Sequence, residues 1–344
     1  MPSRPVHLAL ATLLVATPAS AQGTRYTLTG HDVAVYNLAG SLRVEAGTGS
    51  AVVVEVARQG ADAARLDVQT GTIRGRETLR VIYPDDRIVY APLGRHSRTQ
   101  VSVDDDGTFD GHGGHEVTIS GDGSGLEASA DLRVLVPAGQ RITVNLAVGR
   151  VTVRNVNAQL MIDASSADVE TNGTRGGLSV DVGSGDVQVT GAEGDVDVDT
   201  GSGSVTLSDV KGDDVGIDTG SGEVAATNLG ARSLKIDTGS GSVKLAGVST
   251  ENADLETGSG DIEIDVDAAL RSFHAETGSG DVTLRAPASL SASVDIETSS
   301  GDIDSDFDVT VTRREEDHLV GRIGSGTGRI SVDTGSGSVR LVRR

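Results

Sequence analysis

The chain has 344 residues, 29 Lys and Arg against 50 Asp and Glu, a net charge of −21, no Cys, no Trp, four Tyr and three Phe. That charge excludes a nucleic-acid binder, which needs a basic footprint, and disfavours docking on an anionic membrane surface. The missing cysteines exclude disulfide scaffolds, thiolate metal sites and iron–sulfur clusters, and seven aromatics leave any core to Val, Ile, Leu and Ala.

Arg4, the apolar run His7 to Ala16 (HLALATLLVA) and the Ala19-Ser20-Ala21 site predict a secretory signal over residues 1–21. About ten apolar residues are half of what a membrane span needs. No later stretch is long enough to span either, so the mature chain from 22 to 344 is expected outside the cytoplasm, periplasmic or released.

Alternating strands begin near residue 30 (HDVAVYNLAGSLRVEAGTGSAVVVE, His31–Glu55). Between about 83 and 125 the alternation fails in a polar, charged stretch, which reads as an excursion. It returns at Asp131–Val136 (DLRVLV) and Val151–Val156. From there a tetrad Gly-Ser-Gly-(Asp/Ser/Glu) recurs at Gly183, Gly201, Gly220, Gly239, Gly258, Gly278 and Gly335, with variants at Ser165 and Ser299. The steps from 165 to 299 are 18, 18, 19, 19, 19, 20 and 21, and the 36 residues from 299 to 335 read as two coils. A second polar excursion is expected over about 306–322 (TRREEDH at 312–318).

Aligned on the tetrad, the sequence resolves into columns. Four residues after it stand Val187, Val205, Val224, Val243, Ile262, Val282, Ile303 and Val339. Three before it stand Val180, Val198, Ile217, Ile236, Leu255, Ala275, Ile296 and Val332. Both flanks alternate with period two, the mark of half-buried strands, and the glycines between them read as a tight corner. A strand pair that cannot bury its own apolar face stacks on copies of itself. The expected fold is therefore all-β: one β-solenoid with about 19 residues per coil, ten to twelve coils, and on the order of 50 Å of rod at about 4.8 Å per layer. A row of independent hairpins is the competing arrangement, but it does not require one residue class in one column eight times. Arg343 and Arg344 are expected to charge an open terminal edge.

The strand-turn-strand VAVYNLAGSLRVEAG, the central DLRVLVPAGQRITV, the serial TGSGDV units and the closing GRIGSGTGRISVDTGSGSVRL resemble the bacterial putative-adhesin β-strand-repeat family, a family of unknown function. The resemblance implies an extracytoplasmic β-solenoid with no established enzymatic activity. The 83–125 excursion and the 36-residue gap depart from its pattern.

The column two before the tetrad is acidic throughout: Asp163, Asp181, Asp199, Asp218, Asp237, Glu256, Glu276, Glu297 and Asp333. Parity turns it outward, as a solvated face or as a surface for divalent cations or a cationic partner. The tetrads are similar to Gly-rich calcium-binding nonapeptides, but the period is 19 and Ser204, Ser242 and Ser338 replace the acid. Asp104, Asp105, Asp106, Asp110, His112, His115 and Glu116 carry enough ligand atoms for a metal, on a spacing too loose to preorganise one. Thr200, Thr219, Thr238, Thr257, Thr277, Thr298 and Thr334 form a column that parity turns inward, against an ice-binding array. No nucleophile elbow, phosphate loop or His-based metal motif occurs. No catalytic, cofactor-binding or metal residue is assigned and no cofactor is expected. The reading is a secreted or periplasmic, non-enzymatic, adhesin-like structural or binding surface of the cell envelope with an unidentified ligand. A Ca²⁺-responsive surface protein and, last, a carbohydrate-active β-helix enzyme are the alternatives.

Overall fold

A computed structural model describes residues 23–109, 111, 113–268 and 270–344; the predicted signal segment lies outside them. The described chain is all-β, with two single-turn 3₁₀ helices at Ala63–Arg65 and Ala91–Leu93. Its main sheet is built from parallel strands stacked in register. The offsets are 18 residues for Leu160↔Leu178 and Leu178↔Val196, 19 for Val196↔Val215 and Leu234↔Ala253, and 20 for Ala253↔Phe273. Residues of one sequence column therefore lie directly over one another. Val180, Val198, Ile217, Ile236, Leu255 and Ala275 form one such line, all but inaccessible to solvent. Each layer has two arms joined at the glycine corner, and alternate residues of both arms enter one continuous aliphatic core.

At Gly222 the corner is glycine because the layers approach too closely there for a side chain. A Cβ on Gly222 would stand 2.0 Å from the Gly203 carbonyl oxygen, at φ +151. The fourth tetrad residue also ties the layers together, because its side chain accepts the backbone N–H of the same position one layer on. Ser204 N–H donates to Asp186 Oδ1 (2.9 Å), Asp281 N–H to Asp261 Oδ1 (2.9 Å) and Ser338 N–H to Asp281 Oδ1 (2.8 Å). Asp and Ser share the column because both offer a short acceptor.

Chain order and layer order differ at both ends. At the far end, Phe273 pairs with Ile330, and Ile330 also pairs with Val294. On the second arm, Val339 lies between Val282 and Ile303. The last segment, Gly328–Thr334 and Val339–Arg343, is thus inserted between the layer of 272–286 and the layer of 292–305. The expected terminal edge at Arg343 and Arg344 does not exist. Arg344 instead pairs with Asp265 (2.9 Å) and Asp267, and Arg343 donates to the Asp306 carbonyl. The stretch read as an additional coil is also no layer of the stack: His318–Ile323 runs antiparallel on Ala292–Thr298, and Val309–Arg314 runs antiparallel on it in turn.

The near end repeats this device. Asp32–Ala46 is the second layer, held between Arg141–Arg154 and a first layer made of Arg76–Ile82 and Ser129–Val136. Asp67–Ile73 and Val52–Gln59 cover that first layer as antiparallel strands, and Thr24–Leu28 pairs antiparallel with Val52–Gln59 in turn. Both ends therefore close with antiparallel strands, which replaces the parallel template a stack would otherwise offer to another copy. The described residues contain twelve layers in all.

The 83–125 excursion leaves from the corner of the first layer and forms its own three-stranded sheet, Arg87–Val89, His115–Ser120 and Arg98–Val103. Its apolar side packs on the corners of the next two layers: Ile88, Val103, Val117 and Ile119 meet Leu38, Ala39, Ala147 and Val148. Register places Val148 over Ser166 and Ser166 over Ser184. The covered corners are apolar, and the uncovered ones are Gly-Ser. Tyr83 fastens the cover by donating to Asn37 Oδ1 (2.9 Å), and burial pushes its hydroxyl pKa far up.

The threonine column is buried, as its parity requires. Thr257, Thr277, Thr334 and Thr298 donate at 2.9–3.1 Å to Gly241, Gly260, Gly280 and Gly337, each the third corner residue of an adjoining layer. Thr200, Thr219 and Thr238 are buried with no partner for the hydroxyl. Val182 occupies the same column naturally. Thr277→Val is therefore expected to cost about 1 kcal/mol, whereas Thr219→Val should be neutral or stabilising. Urea unfolding of the two variants distinguishes them, and equal losses would contradict the assignment.

Candidate functional site

The first arm carries the acidic column outward on successive strands, and in-register pairing turns the column into a ladder. Asp163, Asp181, Asp199, Asp218, Asp237, Glu256, Glu276, Asp333 and Glu297 succeed one another in that order. Parallel layers put like charges about 4.8 Å apart, a repulsion of roughly 1 kcal/mol per neighbour in water and less in salt. Its mark is visible on two members. Burial, then the Asp199 charge, raises the Asp181 pKa. Burial, then Asp199 and Asp237, raises that of Asp218, with Lys235 acting in the opposite sense.

The ladder stops where the excursion begins. In the three preceding layers its column is held by Asn145, Tyr36 and Arg80, all buried. Tyr36 meets Phe109 edge-on at 5.6 Å, and Arg80 donates to the Asp106 carbonyl. The second arm's outward column has no such uniformity. It runs Gln188, Thr206, Ala225, Lys244, Glu263, Thr283 and Arg340, with Lys244 paired to Glu223 at 2.8 Å and Arg285 to Glu263.

Beside the ladder, two residues earlier on each strand, lies an open groove of about 680 Å³. Met161, nearly half exposed, Ser179, Asp197, Gly216 and Lys235, register partners on successive strands, line it. Arg76 and Arg141 also line it, so the groove brings cations close to a face that is otherwise acidic.

A carboxyl whose pKa is raised on folding holds its proton more tightly in the folded state, so burial and, after it, the repulsion cost stability at neutral pH, a cost relieved as pH falls through the raised values. Asp199→Asn removes the charge that acts on both Asp181 and Asp218. It is expected to stabilise the chain at pH 7 in low salt by about 0.5–1 kcal/mol, with the gain shrinking near pH 4 and in molar salt. Urea unfolding at both pH values checks this; a gain independent of pH and salt would contradict it.

The loop cluster does not converge among the described residues. Asp104 pairs with Arg74 (3.2 Å), His115 with Asp86 (3.4 Å), and Glu116 accepts from Gln100 (2.8 Å). Burial works against ionisation of Asp106, but hydrogen bonds from Thr108 prevail and hold its carboxyl below the usual range. Asp110 and His112 lie outside the described residues. The corner acids Asp168, Asp186, Asp261 and Asp281 are likewise taken up by the next layer's N–H groups. What single-column reading of the sequence missed is a mixed cluster on the acidic face, Asp254, Glu256 and His274, whose ligand atoms all lie within 4.8 Å of one another.

No helix among the described residues is long and apolar enough to cross a membrane. No curated protein matches the chain. A solved structure of a putative cell adhesion protein from Clostridium sporogenes is similar at 9% identity and a TM-score of 0.23, over 94% of this chain and 100% of that one, a likeness too slight to carry an argument. The family model Toastrack DUF4097, a domain of unknown function, matches residues 117–342, from the last strand of the small sheet to the inserted final layer. With that match spanning well over half its length, the chain belongs to the Toastrack DUF4097 family.

Proposed function

We propose that the chain is a single β-solenoid of about 19 residues per coil, exported to the periplasm or beyond, that works without catalysis as an adhesin-like binding surface of the cell envelope. The observation that carries this reading is the asymmetry of its two outward faces: one presents nine carboxylates in register beside a groove, the other mixes its charges. A ladder of like charges is retained at a cost to stability, which a cationic partner offsets by neutralising it. The partner class is a polymer bearing regularly spaced positive charge, such as an amine-bearing glycan or a basic protein segment.

The test is binding of the purified chain to a partly deacetylated chitin and to a neutral glucan of similar length. Salt-sensitive binding to the first alone, lost in the quadruple variant Asp181→Asn, Asp199→Asn, Asp218→Asn, Asp237→Asn, is expected. Equal binding to both glycans, or binding unchanged by the four substitutions, would overturn the reading, and cleavage of either glycan would overturn the non-catalytic part. The in-register carboxylates favour a second reading, a Ca²⁺-responsive face. It requires Tm to rise more with millimolar Ca²⁺ than with Na⁺ at equal ionic strength.

A further inference from the structure

At one place the acidic face changes its chemistry. Asp254 and Glu256 leave the same side of the strand Val243–Thr257, and the adjacent strand Ser272–Thr277 sets His274 opposite Asp254 and Glu276 opposite Glu256. Four outward side chains thus form a square across two layers, with one imidazole among three carboxylates. Ligand atoms of Asp254, Glu256 and His274 lie within 4.8 Å of one another, and all three residues are half-buried. Asp254 Oδ1 is shielded from solvent and has no hydrogen-bond partner. A cation seated there would satisfy that oxygen. His274 Nε2 stands 4.0 Å from Glu276 Oε2, a separation that leaves the ring nitrogen room to turn toward a shared centre.

We propose that Asp254, Glu256 and His274 form a site for one divalent transition-metal ion of the zinc type, bridging two adjacent layers. The donor set decides the class of ion. Imidazole nitrogen with two carboxylate oxygens suits Zn²⁺, Co²⁺ or Mn²⁺, whereas Ca²⁺ takes six to eight oxygens that this face does not gather at one point. Metal–ligand distances of about 2.0–2.2 Å put tetrahedral donors roughly 3.5 Å apart. Donors already within 4.8 Å close on such an ion by side-chain rotation alone. The remaining coordination positions open outward, toward solvent or a bound partner. Lys235, which lies over Asp254 in the preceding layer, marks where the site ends on that side. The site shares Glu256 with the binding surface proposed above but depends on His274, which the ladder does not.

The test is calorimetric titration of the full chain with Zn²⁺ at pH 7.5, with Ca²⁺ as comparator, alongside His274→Gln, Asp254→Asn and the control Asp199→Asn. One saturable Zn²⁺ site of micromolar affinity is expected, weakened at least about tenfold by His274→Gln and by Asp254→Asn and unchanged by Asp199→Asn. Without metal His274→Gln should unfold at the Tm of the unmodified chain, and with Zn²⁺ the unmodified chain and Asp199→Asn should gain Tm while His274→Gln and Asp254→Asn do not. Substituted Co²⁺ should give visible d–d bands that His274→Gln abolishes. Several weak sites, affinity untouched by His274→Gln, or equal response to Ca²⁺ would each overturn the proposal by assigning the binding to the carboxylate ladder as a whole.

Discussion

Gly222→Ala is expected to destabilise the chain by more than about 3 kcal/mol, or to prevent folding, although it adds one methyl group on the surface. The new Cβ would lie 2.0 Å from the Gly203 carbonyl oxygen, and backbone atoms of a hydrogen-bonded layer cannot give way without opening the stack. Its φ of +151 adds strain that an L side chain rarely accepts. Gly230 provides the control: its nearest contact for a Cβ is the Lys211 side chain at 3.9 Å, with no positive φ. Gly230→Ala should be neutral or slightly stabilising through the unfolded chain. Equal effects at the two positions in urea unfolding would mean that the corners are ordinary turns and that layer-to-layer approach does not constrain them.

The second large effect is expected from removing the final layer. In a stack laid down in chain order, ending the protein at residue 325 trims one terminal layer and costs one interface. Here Ile330, Val332, Val339 and Leu341 are all but fully buried between two other layers. Their loss forfeits roughly 2 kcal/mol each as an upper estimate and leaves the layer of 292–305, with the antiparallel strands over it, without a seat. The truncated chain is expected to lose amide protection from about residue 272 to its end while the layers of 141–257 keep theirs. Adding residues 326–344 as a peptide should restore protection. A truncated chain protected through residue 323 would contradict the inserted arrangement.

These two effects also mark what the sequence makes legible. The columns are readable because parallel in-register stacking puts one residue class on one line, so Val180 to Val332 can be named before any coordinate is known. The order of the layers is not, for the same reason. Every layer presents the same columns, so Ile330 and Val332 fit between any two copies, and spacing alone cannot say which copies receive them. The charged Arg343 and Arg344 look like edge residues only if chain order is layer order. The cover over the first corners leaves a trace in Leu38, Ala39, Ala147 and Val148, apolar where later layers have Gly or Ser. A corner that is wet needs no aliphatic side chain, so this switch is a signal of burial.

The candidate site shows the same division. The acidic ladder follows from parity and period, since a uniform column flanked by two buried ones has nowhere to point but outward. The cluster at Asp254, Glu256 and His274 involves two columns at once, and its second column, Ser179, Asp197, Gly216, Lys235, Asp254 and His274, has no common chemistry to draw attention. Only register brings its members together. The loop acids near residue 104, by contrast, are close in sequence yet turn to separate partners.

The order of the layers is tested most directly by disulfide trapping, for which a cysteine-free chain is well suited. Thr283 and Arg340 are register partners on neighbouring strands, while Asp304 lies one layer beyond Arg340. Neighbouring layers at about 4.8 Å suit a disulfide, and about 9.6 Å across two layers does not. The pair Thr283→Cys and Arg340→Cys should cross-link on mild oxidation while the pair Thr283→Cys and Asp304→Cys stays reduced. Cross-linking of the second pair with the first remaining free would place the final segment at the end of the stack and contradict the architecture on which the acidic face depends.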